Sequence, residues 1–159
     1  MDKRITLKKA KNKRIMKNDI PDLTAQETIQ YLQHFFIKNS LLDHSISAQI
    51  TSEIKKKIQS YKRQDIKKNR YEERNFITHE ECYTKLLTCN MKCYYCKSDM
   101  VIFYNEVRQD NQWTLERINN DMPHTNNNTV VACLDCNLKR GTRNSDHYQF
   151  AKQLVIKKI

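Results

Sequence analysis

CYYCKSDMVIFYNEVRQDNQWTLERINNDMPHTNNNTVVACLDCNLKR, Cys93 to Arg140, is the stretch that decides how the chain folds. It opens with Cys93-x-x-Cys96 and closes with Cys133-x-x-Cys136, and two such pairs about forty residues apart have the spacing of a four-thiolate Zn²⁺ site. Each pair can turn two sulfurs toward one ion, and the second pair completes a tetrahedron by drawing distant segments together. Four Cys ligands leave no open coordination position, so the expected role of the zinc is structural. Chemistry then falls to residues between the knuckles and just after them.

At 159 residues the chain is one domain, or one small domain with an appendage. No run approaches the roughly eighteen apolar residues of a membrane span, and no apolar segment follows the basic N-terminus. Neither a membrane span nor a signal peptide is expected. The chain reads as intracellular, in a reducing compartment where thiolates bind metal and do not pair as disulfides. Cys82 and Cys89 lie outside the knuckles and read as ordinary helix residues.

The formal charge is +11, and it is uneven. Residues 1–75 hold 18 Lys and Arg against 9 Asp and Glu, whereas residues 76–159 hold 11 against 9. The positive field therefore lies mostly outside the knuckles, and an excess of this size favours a polyanion, most commonly nucleic acid.

Three segments follow from these patterns. Residues 1–20 carry eight Lys and Arg with little apolar pattern and read as a basic disordered arm. Residues 21–75 form a helical basic region. Thr24 and Glu27 make a capping box for a helix from about Ala25 to Lys38, and Ser45 or Ser47 can cap a second. In that second helix Ile46, Ile50, Ile54 and Ile58 recur every four residues, which gives it one apolar face. Around the stripe Lys55, Lys56, Lys57, Lys62, Arg63, Lys67 and Lys68 form a cationic face suited to a phosphate backbone.

Residues 76–159 form the zinc module. Thr78 and Glu81 make another capping box, and strands are expected over Met100–Tyr104, Gln112–Arg117 and Thr129–Ala132. A helix from Leu134 should end near Gly141, the single glycine. A last helix from about Ser145 to Ile156 would pack Tyr148, Phe150 or Ala151, Leu154 and Val155 on the core, and Trp113 reads as core beneath the hairpin. The fold class is α+β.

The run TLERINNDMPHTNNNTVVACLDCNLKR, residues 114–140, resembles the HNH, or His-Me finger, endonucleases. It is similar to the zinc-knuckle branch, and to versions encoded by large DNA viruses and phages. The likeness covers about Thr78 to Arg143. It implies a ββα-metal fold, a DNA substrate, structural Zn²⁺ and a catalytic Mg²⁺ or Mn²⁺. If the source is viral, it implies the host cytoplasm or nucleus. A homodimer is left open.

Position by position, Glu116 corresponds to an acidic ligand of the catalytic ion, and Asn128 to the asparagine that orients the base. Asn137 corresponds to a ligand supplied by the helix, and Lys139 and Arg140 follow as phosphate contacts. Arg117 stands where the more usual motif has its histidine base. His124, the one histidine inside the core motif, is a candidate base or proton shuttle. Arg117 stays protonated and can stabilise the transition state, and a metal-held water needing no side-chain base is a third arrangement. A catalytically inactive, zinc-stabilised DNA-binding module is the alternative function.

Overall fold

A computed structural model describes residues 20–37 and 42–155, so the expected arm lies, but for Ile20, outside the described residues. Five helices and one two-stranded sheet are present among them: α1 (Ala25–Ile37), α2 (His44–Lys67), α3 (His79–Thr88), β1 (Trp113–Arg117), β2 (Thr129–Cys133), α4 (Leu134–Arg140) and α5 (Ser145–Gln153). The class is α+β.

Local chemistry sets the helix starts. Thr24 N–H donates to Glu27 Oε2 at 2.8 Å and Glu27 N–H to Thr24 Oγ1 at 3.2 Å, and Thr78 and Glu81 repeat the arrangement at α3 with the same two distances. At α2 the cap is Asp43, not Ser45 or Ser47. Its extended backbone places a carboxylate oxygen 2.7 Å from Ser45 N–H, where it meets both an orphan donor and the positive helix end.

The stripe of α2 is buried at Ile50, Ile54 and Ile58. At 24 residues the helix is long, roughly 36 Å at 1.5 Å per residue, so it supports α1 and α3 and still reaches the hairpin. One core cluster includes Ile29 and Leu32 of α1, the α2 isoleucines, Leu86 of α3, Trp113 and Leu115 of β1, and Tyr148 of α5.

β1 and β2 pair antiparallel, with Trp113 opposite Cys133 and Glu116 opposite Val130. The strand expected over Met100–Tyr104 does not form. Val101 makes a single bridge with Gln112 and accepts the Trp113 N–H at 3.1 Å. Beyond that point α2 occupies the sheet edge. Lys57 Nζ donates to Trp113 O, and Leu115 N–H donates to Tyr61 Oη at 3.0 Å. The backbone groups a third strand would use are therefore satisfied by side chains, which also shields the edge.

α4 follows β2 without a linker and stops at Gly141, whose φ of +57° is the left-handed region that L side chains rarely adopt. The last helix is shorter than expected. Tyr148 packs on Tyr95 with ring centroids 5.0 Å apart, but Phe150 and Ala151 lie on exposed positions of the helix, and the chain turns extended at Leu154, so Leu154 and Val155 do not join the core either. Ile156 lies outside the described residues.

Candidate functional site

The four knuckle cysteines converge. Their sulfurs all lie within 4.8 Å of one another, and Cys96 and Cys133 Sγ are 3.9 Å apart. A tetrahedron with Zn–S bonds of about 2.3 Å has sulfur–sulfur edges of about 3.8 Å, so the cluster matches Zn²⁺. Backbone N–H groups are already turned to sulfur, Cys133 N–H to Cys93 Sγ at 3.3 Å and Cys136 N–H to Cys133 Sγ at 3.4 Å. Cys93 is held down to about 4 by the Cys133 thiol, while the same pairing pushes Cys133 up and burial raises Cys136 to about 11. Only a cation lets all four ionise together, and this cluster can hold a structural metal such as Zn²⁺. Cys82, pushed up to about 12 by burial, stays a thiol apart from the cluster.

The cysteine cluster brings Cys93–Cys96 to the junction of β2 and α4, and the strand–strand–helix unit that meets there also borders a cleft. That cleft, of about 480 Å³, lies between α2, β1 and α4. Four of the five residues expected at a catalytic centre line it: Glu116, Arg117, His124 and Asn137. A larger hollow of about 710 Å³ beside α3 and β2 holds none of them.

Glu116 is buried, and its Oε1 accepts from Arg140 Nη1 at 2.5 Å. Its Oε2 has no partner, although the Tyr95 hydroxyl, bonded to Ser145 Oγ at 3.1 Å, stands close by. Burial raises the Glu116 pKa against the lowering effects of Tyr95 and Arg140, so the carboxylate is short of positive charge. Arg140, expected among the phosphate contacts, is turned inward. It is buried, and besides Glu116 it bonds Arg117 O at 2.9 Å and Ile118 O at 2.6 Å, which pins the end of β1 to α4.

Asn137 Nδ2 donates to Thr114 Oγ1 at 3.0 Å, and Thr114 in turn donates to Ala132 O at 2.7 Å. The amide nitrogen is thereby committed, and Oδ1 is the end left for a ligand. Asn128 does not line the cleft. It closes the 119–128 loop by accepting from Asn119 N–H and donating to Asn119 O and Pro123 O, at 2.9–3.0 Å. These side-chain bonds go to the backbone of the loop that carries His124, and none of them goes to the imidazole.

His124 is buried and stacked on Tyr61, with ring centroids 4.8 Å apart. Its Nδ1 is 2.9 Å from Asp65 Oδ1, its backbone N–H is 2.7 Å from Oδ2, and Arg117 Nη1 lies 3.6 Å from Oδ1. Desolvation, helped by Arg117 and Arg70, lowers the His124 pKa against the raising effect of Asp65 and so favours the neutral ring. Asp65 was not among the expected site residues. The available signal was its position on α2, seven residues after Ile58, where the apolar stripe continues into an acid.

The cationic face of α2 divides. Lys55, Lys56, Arg63, Lys67 and Lys68 are exposed, although Lys56 pairs with Glu53 at 2.6 Å, and Lys62 is half-buried over the Tyr71 ring. Lys139 is exposed and paired with Asp135 at 2.8 Å. Lys57 turns inward to the cleft, against Trp113 O, Gln112 Oε1 and the Trp113 and Tyr104 rings. Burial drives its pKa from 10.5 down to about 7.

A stability prediction follows with a definite sign. Between about pH 7 and 10.5 the unfolded Lys57 holds a proton that the folded one has lost, so stability should rise with pH across that window. At about 1.4 kcal/mol per pKa unit the rise amounts to a few kcal/mol. Lys57→Met should flatten it, read as the difference between the urea-melt pH profiles of the two proteins. Parallel profiles would refute the inward placement.

No known protein family, no curated protein and no solved structure matches this chain.

Proposed function

We propose that the chain is a metal-dependent endonuclease of the HNH type that hydrolyses DNA phosphodiester bonds and is held in shape by structural zinc. The observation that carries this reading is the cleft, which gathers Glu116, Arg117, His124 and Asn137 beside Lys56 and Lys57. Glu116 Oε2, buried and unpartnered, and the Asn137 amide would hold one Mg²⁺ or Mn²⁺, ions that keep most of their waters and need only one or two protein ligands. When bound, the ion would neutralise charge on the phosphate and acidify a water.

The chain's own groups supply the remainder. His124, with Nδ1 on Asp65, has Nε2 to take the proton of the attacking water. As the new P–O bond forms, the bond to the 3′ oxygen breaks. Arg117 and Lys57 offer N–H donors to the phosphoryl oxygens, where negative charge grows. The exposed lysines and arginine of α2 would follow the backbone away from the scissile bond.

The test is nicking of supercoiled plasmid with Mn²⁺ or Mg²⁺, beside EDTA, for the wild type and for Glu116→Ala, Asn137→Ala and His124→Ala. Each variant is expected to lose on the order of 10²-fold or more, with its zinc content unchanged. Wild-type protein that binds DNA with a steep salt dependence but cleaves neither plasmid nor branched DNA would establish the binding module instead. One observation favours that second reading: Arg140 already occupies one oxygen of Glu116.

A further inference from the structure

Asp65 is a fully buried acid on the apolar stripe of α2, one turn beyond Tyr61 and two beyond Ile58. Burying a carboxylate costs several kcal/mol unless its oxygens are filled. Both are filled from one residue. His124 gives its backbone N–H to Oδ2 at 2.7 Å and presents Nδ1 to Oδ1 at 2.9 Å. A carboxylate acting as acceptor requires the hydrogen on Nδ1, so Nε2 is the bare nitrogen. The other groups acting on the ring are Tyr61, stacked on its face, and the cations Arg117 of β1 and Arg70 just beyond α2. The backbone bond anchors the residue beside Asp65, and the Nδ1 contact, together with the stacked Tyr61 face, holds the imidazole against a flip.

We propose that Asp65 is a positioning residue that holds His124 in the Nδ1–H tautomer with Nε2 free for the cleft. The hydrolytic site is then completed by the helical region, 59 residues away from His124 in sequence and outside the knuckles. The same carboxylate steadies Arg117, so one acid sets both the proton acceptor and the cation that meets the phosphate. The activity part of this proposal rests on the endonuclease reading, whereas the tautomer part does not.

The experiment joins two readouts on the full zinc-loaded chain. Nitrogen-15 spectra of the histidine-labelled wild type should show His124 with a protonated Nδ1 and an unprotonated Nε2, and Asp65→Asn should lose that pattern. In plasmid nicking Asp65→Asn should lower kcat on the order of 10²–10⁴-fold with KM little changed, and Asp65→Glu should restore part of it. A wild-type Nε2–H tautomer would overturn the proposal, as would Asp65→Asn that keeps both the Nδ1–H tautomer and full activity. A wild type that cleaves no DNA removes the endonuclease reading, and the spectra then decide alone whether Asp65 fixes the ring.

Discussion

Cys136→Ser, or stripping the metal with a strong chelator, is expected to unfold the segment from Cys93 to Arg140 and to abolish the cleft. Structural Zn²⁺ contributes about 10–16 kcal/mol of apparent free energy at pH 7, comparable to or larger than the roughly 5–15 kcal/mol by which whole domains are stable. The segment has little else to replace it. Its sheet has two strands of five residues and its helix seven, and the expected third strand is absent. The chain has one tryptophan, Trp113, fully buried opposite Cys133, so its fluorescence reports the event. The purified protein should contain one zinc per chain, and the variant should show red-shifted emission and no cooperative melt of this segment. A metal-free protein with native emission, or a Cys136→Ser variant that melts like the wild type, would rule out the structural role.

The second large effect belongs to Arg140. Arg140→Met leaves Glu116 buried without its partner, a change that costs about 3–5 kcal/mol when one member of a buried ion pair is removed. Arg117 O and Ile118 O lose their donors as well, so the end of β1 loosens. The effect depends on pH with a fixed sign. Glu116 already has a raised pKa, and without Arg140 the pKa rises further. A raised carboxylate pKa withdraws stability as pH climbs through it, so the loss is largest at neutral pH and shrinks on acidification. Glu116→Gln in the same chain should recover much of the loss, measured as a double-mutant cycle in urea. An Arg140→Met variant within about 1 kcal/mol of wild type at pH 7 would mean that the pair is not formed.

These two predictions separate the roles that the motif residues play. Read in sequence alone, Arg140 follows Lys139 as a second exposed cation. In the fold it is the strut between α4 and β1, while Lys139 stays at the surface. A cation four residues past a knuckle is legible, but its partner is not. The partner is set by which face of a seven-residue helix meets the strand.

Apart from the cap of α2, which falls to Asp43 and not to Ser45 or Ser47, the sequence by itself determined the features that local spacing encodes: the Cys93, Cys96, Cys133 and Cys136 quartet, both capping boxes, the isoleucine stripe of α2, and the Gly141 stop. Each depends on spacing within one element, or on ligands whose chemistry admits few other partners. Tertiary structure alone decided that Met100–Tyr104 forms no strand, because Lys57 and Tyr61 occupy the edge it would need. It also decided that Asp65 meets His124. A carboxylate carries no local mark of its counterpart, and only the packing of α2 across the hairpin brings the two together where water is excluded and the pairing is strong.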